Sequence, residues 1–497
     1  MVDAVIVGAG HNGLVAACVL ARAGRSVVVC ERRGVVGGAC VTEELIPGFR
    51  VSSAAYSFSL FRPEIFEALE LKRFGLEPYP KDPRMFVPLL DGRRFFVWRD
   101  AERTRAEIAR IDERDADAYP RWNAFWDEVA VIVRPLMLDP DPPGLDALEG
   151  RMGSEMFRLA VVGSAAETVE AFFGSDEVRG AFVGQGIIGT AAGPRMPGTA
   201  WVMTYHAFGG ELVDGAGTWA YVRGGMGGVT QALLACAREA GVDVRCDAGV
   251  ARVLVEAGRA RGVVLDDGEE IPARVVLSNA DPKRTYLTLC APQDLPADFI
   301  ERARAFASPG SVVKVNLALD ELPDFTALPG IGTQHAGTIE ISPSIDHLDR
   351  AWADAAAGRV SARPFMEVFI QSVTDDSLAP LGKHVASCFA QYAPNGPMDI
   401  EAAGDAVIDM LAEFAPNVRR AILHREVLGP AELEARFGLT GGNIFHGEIL
   451  PGQIMGDRFS VRAPIDGLFL CGSGAHPGGG VSGAPGWNAA QAVLAAE

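Results

Sequence analysis

The chain has 497 residues, of which 48% are hydrophobic and 22% charged, and this length predicts two or three domains with buried cores. The apolar content argues against long disordered stretches. A formal net charge of −19 would repel a phosphate backbone, so no nucleic acid is expected as a partner. The same charge disfavours an anionic membrane surface, although peripheral membrane contact through apolar residues stays open.

The first 31 residues predict a strand–turn–helix–strand unit that binds a dinucleotide. An apolar strand over residues 3–7 precedes the run GAGHNG at 8–13, which matches the pattern G-x-G-x-x-G. The N-terminus of the helix that follows presents N–H groups and partial positive charge to phosphates. Glu31 ends the second strand, where a carboxylate can accept hydrogen bonds from ribose hydroxyls and disfavours the extra phosphate of NADP.

Each position of the turn has an expected role. Gly8 permits the sharp turn out of the strand, Gly10 leaves room for a pyrophosphate, and Gly13 allows the helix to pack closely on the sheet. His11 and Asn12 begin the helix, and we expect both to contact the cofactor. The pattern by itself fits NAD and FAD equally well.

A second glycine-containing stretch follows Glu31, at residues 32–39. It resembles an extension of the dinucleotide fold found in flavoproteins of the glutathione-reductase superfamily, which NAD-dependent dehydrogenases usually lack. The resemblance implies that Arg32, Gly38 and Ala39 approach the cofactor.

Two later segments favour FAD over NAD. Residues 242–281 predict a strand, a β-meander and a return strand, and in similar flavoproteins backbone groups near Val250 pair with adenine. A strand at 467–471 then enters a glycine-rich run, and residues 489–496 look helical. The resemblance implies that this run contacts FAD through Gly472, Ser473, Gly480 and Val481. Many similar flavoproteins carry an acid where Ser473 stands, so a carboxylate contact to the ribityl chain is in doubt.

These segments predict an α/β fold, α+β overall. We expect a discontinuous, Rossmann-like FAD-binding domain of the glutathione-reductase type, with an inserted substrate domain of mixed sheet and helices. The FAD-binding domain is predicted over residues 1–80, 218–295 and 445–497. The substrate-binding domain is predicted over residues 81–217 and 296–444.

Within the substrate domain, strands are predicted at 95–98 and 365–370, and helices at 100–138 and 155–173. Apolar helical patches within these helices predict core packing. An apolar substrate tunnel and a membrane-touching mouth stay open as alternatives. The run GGMGG at 224–228 fails the dinucleotide spacing, so we interpret it as re-entry into the FAD domain and expect no independent NAD(P)H site.

The eight cysteines contain no C-x-x-C pair and no metal-like cluster, which predicts buried, reduced thiols and no metal site. A strand that begins at residue 3 leaves no room for a signal peptide, and no long uninterrupted apolar run predicts a spanning helix. We therefore expect a cytoplasmic protein, with membrane association left open.

Five segments together resemble the phytoene-desaturase-like FAD-dependent oxidoreductases. They are YSFSLFRP at 56–63, GTAWVMTYH at 198–206, YVRGGMGG at 221–228, TGGNIFHGE at 440–448 and GSGAHPGGGVSGA at 472–484. The resemblance implies FAD-dependent chemistry on an apolar substrate, such as a polyene or an acyl compound. The acceptor of the electrons would be oxygen or a quinone.

Four residues in these motifs are candidate catalytic bases: His206, His446, Glu448 and His476. Removing a proton during desaturation requires such a base. On a strand, His446 and Glu448 would share a face. Each of the four also fits a structural role.

The leading hypothesis is a dehydrogenase or desaturase, with hydride transfer to flavin N5. A redox-neutral isomerase of double bonds and a flavin-bound regulatory or interaction protein are alternatives. An amine oxidase is another, but no motif identifies its aromatic cage or a lysine near N5. The oligomeric state is left open.

Overall fold

The structure is a computed structural model that describes residues 1–213 and 218–496. Its strands are β1 Val2–Val7, β2 Val27–Cys30, β3 Thr42–Ile46, β4 Phe49–Ser52, β5 Pro78–Pro80, β6 Met85–Pro88, β7 Arg94–Val97, β8 Ala220–Val222, β9 Asp243–Arg245, β10 Val250–Glu256, β11 Arg259–Leu265, β12 Glu270–Ser278, β13 Val312–Leu319, β14 Thr338–Ile341, β15 Phe365–Phe369, β16 His384–Gln391, β17 Ile422–Leu428 and β18 Leu468–Leu470.

Its α-helices are α1 His11–Arg22, α2 Pro63–Ala68, α3 Ala101–Ile108, α4 Glu113–Val133, α5 Leu145–Met152, α6 Ser154–Phe157, α7 Ala165–Glu170, α8 Asp176–Val183, α9 Thr199–Ala207, α10 Gly227–Glu239, α11 Pro282–Arg284, α12 Ala297–Ala305, α13 Ile345–Ala356, α14 Ile400–Phe414, α15 Val418–Ala421, α16 Pro430–Phe437 and α17 Ala484–Ala495. Shorter 3-10 and π segments connect several of them.

The first sheet carries the predicted dinucleotide unit. Strands β18, β12, β1, β2 and β9 pair in this order, all in parallel, and β1 is buried on both sides between β12 and β2. The N-terminal half of β12 leaves the parallel sheet and pairs with β11, which pairs with β10, both antiparallel. This three-stranded meander confirms the prediction for residues 242–281.

Three helices from distant parts of the sequence meet beside this sheet. Helix α1 contacts both α10 and α17. The contact with α17 is close, because a side chain at Gly486 would lie 2.0 Å from the backbone oxygen of Asn12. The glycine run at 224–228 leads directly into α10, as expected for re-entry into this part of the fold.

The second sheet has the order β17-β13-β16-β15-β14-β6-β7. It is a mixed sheet, because β14 and β6 pair in parallel whereas all other adjacent strands in it pair antiparallel. The strands predicted at 95–98 and 365–370 are β7 and β15. Together the two sheets and their helices confirm the predicted fold class. The strands of each sheet fall within the ranges predicted for one domain, but the domain boundaries themselves stay predictions.

The apolar helical patches of the second domain belong to its core. Val129, Val133, Ala160 and Val161 are buried in one hydrophobic cluster, whereas Val131 is exposed. The helical prediction for 100–138 holds, apart from a break between α3 and α4. Within the described residues, no helix combines the length and the apolar character needed to cross a bilayer.

Candidate FAD and substrate site

A cavity of about 670 Å3 lies between the two sheets. Val7 and Gly8 at the end of β1 line it from one side, and Val312 and Lys314 on β13 line it from the other. Its size is typical of a cofactor or substrate site. The parallel strands of the first sheet end at this cavity, which is where open α/β sheets bind their ligands.

Most of the predicted cofactor residues line this cavity. They are Gly8, Gly10, His11, Asn12, Glu31, Arg32, Gly38, Ala39, Val250, Ser473, Gly480 and Val481. Gly13 and Gly472 do not line it. A Cβ atom at Gly472 would lie 2.6 Å from the backbone oxygen of Asn279, so this glycine allows two chain segments to pack closely.

The Glu31 carboxylate is fixed at the end of β2. Its Oε2 accepts a hydrogen bond from the Ala9 N–H at 2.9 Å, and its Oε1 accepts one from the Arg33 N–H at 2.9 Å. The side chain is buried but faces the cavity. Each carboxylate oxygen has a second lone pair, so Glu31 can also accept a hydrogen bond from a ribose hydroxyl.

Buried polar atoms at the cavity fit a polar cofactor. Within the described chain, His11 Nε2, Asn12 Oδ1, Arg284 Nε and His446 Nδ1 have no hydrogen-bond partner, and all four residues line the cavity. Buried polar groups in folded proteins are nearly always hydrogen-bonded. The other end of the Asn12 amide donates to Ser473 Oγ at 3.1 Å, which joins the N-terminal turn to the C-terminal glycine run. Together with the glycine turn and Glu31, these atoms fit FAD.

Of the four candidate bases, His206 and His446 line the cavity. His206 Nδ1 lies 2.9 Å from the backbone oxygen of Gln185, and burial lowers the pKa of His206 to about 4. Burial also lowers the pKa of His446. Both imidazoles are therefore neutral at neutral pH, and a neutral imidazole can accept a proton.

Residues 446–448 do not form the strand on which His446 and Glu448 would share a face. The backbone turns here, since His446 has a φ of +57° and Gly447 a φ of +125°. His446 and Glu448 consequently do not share a face, and Glu448 does not line the cavity. His446, a non-glycine residue in the left-handed region, is held there by the surrounding loop.

Glu448 and His476 are held by contacts away from the cavity. Glu448 accepts hydrogen bonds from Thr190 Oγ1, from the Ala191 N–H at 3.2 Å and from Asn443 Nδ2 at 3.1 Å. His476 Nε2 lies 2.7 Å from the backbone oxygen of Leu136. Their assignment as bases stays untested, and this geometry favours structural roles.

Replacing Glu448 with glutamine is expected to remove a pH dependence of folding. Burial raises the pKa of Glu448 to about 7 in the folded protein from 4.5. The folded state thus binds this proton more tightly, so stability is greatest below the unfolded pKa and falls as the pH rises to about 7. The full loss is about 3 kcal/mol. The free energy of unfolding, measured with denaturant, should fall less steeply with pH for Glu448→Gln than for the wild type. An unchanged slope would contradict the raised pKa of Glu448. The exposed Glu270→Gln serves as the control.

Lys314 is a cavity residue that the sequence analysis did not identify. It lies within the buried strand β13, and burial lowers its pKa to about 7. Its Nζ donates to Ser387 Oγ and lies 4.5 Å from the centre of the Tyr56 ring. A lysine inside a mostly apolar strand was the available signal, because such a residue is rarely buried without a reason.

The cysteines offer no dithiol at the cavity. Cys30 and Cys40 line it, but all eight cysteines are free. Cys18 and Cys236 interact with each other between α1 and α10, and neither lines the cavity. A disulfide reductase requires a reactive pair of thiols beside the flavin. Burial raises the pKa of both Cys30 and Cys40, and the Cys40 thiol donates to the backbone oxygen of Met226 at 3.2 Å.

Comparison with known proteins places the chain in a family. A rat protein, pyridine nucleotide-disulfide oxidoreductase domain-containing protein 2, is 38% identical over 99% of this chain and 93% of its own length. The lycopene-forming phytoene desaturase of Pseudescherichia vulneris is 25% identical over 97% of this chain and 96% of its own. The resemblance to phytoene-desaturase-like flavoproteins is therefore confirmed.

A solved structure shares the fold. Cyclohexylamine oxidase from Brevibacterium oxydans superimposes with a TM-score of 0.61 at 16% identity, covering 100% of this chain and 98% of that one. The family model for flavin-containing amine oxidoreductases matches residues 13–494. The chain belongs to this family of flavin oxidoreductases, and its cofactor is FAD.

Proposed function

We propose that the protein is an FAD-dependent dehydrogenase or desaturase of an apolar substrate, either a polyene or an acyl compound. Oxygen or a quinone is the proposed acceptor of the electrons. Bound FAD supplies a hydride acceptor at N5. The chain supplies the cavity that orients the substrate and excludes water.

The distribution of charge in the cavity wall carries this proposal. The carboxylates among the described lining residues are Glu31 and Asp266, which lie near Val250 and the end of β2, in the part assigned to the adenosine end of FAD. The part near β13 also contains Lys314 and Tyr56, but most of its wall is apolar: Leu60, Ile188, Val312, Phe389, Ile444 and Phe445. This wall offers an apolar chain a large contact area and offers a cationic amine no carboxylate.

Anaerobic reduction of the bound flavin tests the proposal. Holoenzyme is mixed with a carotenoid polyene, a long-chain acyl thioester or a primary amine, and the flavin absorbance is followed. Bleaching by the polyene or the acyl compound is expected. Bleaching by the amine alone, or by none of the three, would overturn the proposal. Product mass then separates oxidation from isomerisation, because an isomer keeps the mass of the substrate.

Lys314→Met is expected to slow flavin reduction by at least about tenfold. With its pKa lowered to about 7, the amine can exchange a proton near neutral pH, and methionine cannot. Methionine has a similar volume and removes a buried charge, so stability should be unchanged or increased. Stopped-flow reduction by the substrate found above measures the effect, with the half-exposed Lys383→Met as the control. An unchanged rate would exclude a role for this amine.

A further inference from the structure

Behind Tyr56, the cavity wall meets a group of buried ionisable side chains. Tyr56 lines the cavity, and its hydroxyl donates a hydrogen bond to Glu367 Oε2 at 3.1 Å. Glu367 on β15 lies directly opposite Glu340 on β14 in the sheet register. Both carboxyl groups are buried, so they are separated from water and depend on each other and on their neighbours for charge balance.

The positions of the two carboxyl groups favour one proton between them. In the described chain, no N–H or O–H donor reaches either oxygen of Glu340. A hydrogen bond between Glu340 and Glu367 therefore requires a proton on one of them. Burial raises the pKa of Glu340 well above its usual range, and the neighbouring Glu367 charge raises it further. Burial also raises the pKa of Glu367, but Lys81 and hydrogen bonds from Gln185 and Tyr56 oppose that rise. Both oxygens of Glu367 accept hydrogen bonds, from Tyr56 and Gln185, whereas those of Glu340 accept none from the described residues, so this geometry favours a neutral Glu340 and a charged Glu367.

The surroundings hold Glu367 as an anion that can still be protonated. Lys81 Nζ, an amine whose pKa burial lowers to about 7, donates to Thr338 Oγ1 at 2.7 Å and lies 4.8 Å from the centre of the Phe369 ring. Lys314 Nζ lies 4.5 Å from the centre of the Tyr56 ring. Glu426 on β17 is the next acid and is separated from this group by Asn316.

His206, which also lines the cavity, is linked to Glu367 through Gln185. Gln185 Nε2 donates to Glu367 Oε1 at 3.0 Å, and the backbone oxygen of Gln185 lies 2.9 Å from His206 Nδ1. Tyr56 and His206 therefore both connect the cavity to one carboxylate. Only Tyr56 does so through a single hydroxyl, which can give up one proton while it receives another.

We propose that Glu367 accepts, through Tyr56, the proton released when the substrate is oxidised in the cavity. This rests on the proposed function. The breaking C–H bond sends its electron pair and hydrogen to FAD as hydride, and a second C–H bond loses its hydrogen as a proton. That proton bonds to Tyr56 Oη while the original hydroxyl proton passes to Glu367 Oε2. The electrons of the second C–H bond form the new double bond of the product.

Infrared difference spectroscopy of the holoenzyme tests this without any substrate. Dithionite reduces the bound FAD, which adds negative charge to the cavity and should draw a proton onto Glu367. We expect the reduced-minus-oxidised spectrum to gain a protonated-carboxyl band that shifts in D2O. Glu367→Gln should lose this band. In Tyr56→Phe, protonation should lag flavin reduction by at least about tenfold in stopped-flow measurements with a pH indicator.

Glu426→Gln and Tyr79→Phe are the matched controls, since both lie near the group but do not contact Glu367. Absence of the band in fully reduced wild type, or its persistence in Glu367→Gln, would overturn the proposal. If Glu367→Gln does not fold, Tyr56→Phe and Glu340→Gln remain as tests: unchanged spectra and protonation kinetics in both would overturn the proposal. Failure of the proposed function would show separately, because dithionite reduces the flavin even when no substrate does.

Discussion

Gly13→Ala is expected to abolish FAD binding. The new Cβ would lie 2.2 Å from the backbone oxygen of Gly8, a distance that Cβ atoms do not adopt. Gly8 sits in the turn with a φ of +92°, so neither chain segment can yield without opening the turn. Moving α1 away from β1 would also displace His11 and Asn12, which line the cavity. We expect a cost of about 3 kcal/mol in stability in addition to the loss of cofactor.

The measurement is the ratio of bound flavin to protein after purification with excess FAD. Gly150→Ala is the matched control, because it lies in helix α5 and a Cβ atom there meets nothing within 4 Å. This control should keep its flavin and gain slight stability from the better helix propensity of alanine. Stoichiometric FAD in Gly13→Ala would show that the turn can adjust.

Arg458→Met is expected to destabilise the fold by about 3 kcal/mol or more. The buried guanidinium donates to the backbone oxygens of Phe445 at 2.8 Å, Glu448 at 2.9 Å, Gln453 at 2.9 Å and Ser473 at 2.7 Å. Methionine can replace none of these donors, and buried carbonyl groups without partners are costly. Burial lowers the pKa of Arg458 only to about 10, so the group stays charged at neutral pH.

Two measurements separate the roles of Arg458. Denaturant unfolding reports the stability, and flavin titration reports whether the loop with His446 and the turn at Ser473 still form the site. Arg462→Met is the matched control, because its side chain is 45% exposed and pairs with Asp141 at the surface. Equal stability of the two variants would mean that the carbonyl contacts of Arg458 contribute little.

The sequence predicts the part of the site that is formed by local motifs, in which the residues are close together along the chain. The GAGHNG turn, the carboxylate of Glu31 and the meander around Val250 are local patterns, and the structure places them together at the cavity. Glycine spacing specifies backbone geometry directly, which explains why this half of the site was predictable.

The other half depends on contacts between distant segments. Lys314 reaches the cavity because β13 pairs with β16 and β17, and Glu340 meets Glu367 only through the register of β14 and β15. Sequence spacing does not specify such pairings. Cys18 and Cys236 are neighbours for the same reason, since α1 and α10 pack together.

The spacing of His446 and Glu448 did not reveal the turn that the backbone makes between them. Alternation of polar residues fits a strand, but Gly447 adopts a φ of +125° and ends any extended run. A glycine between two polar residues predicts a turn as readily as a strand.

The packing of α17 against α1 has a consequence for biogenesis. Helix α1 packs against α10 and α17, and it lacks the second of these neighbours until residues 484–495 have been synthesised. Closing so long a loop costs entropy before any contact compensates for it. A chain interrupted before α17 is therefore expected to retain FAD poorly, because the turn then lacks the close contact between Asn12 and Gly486.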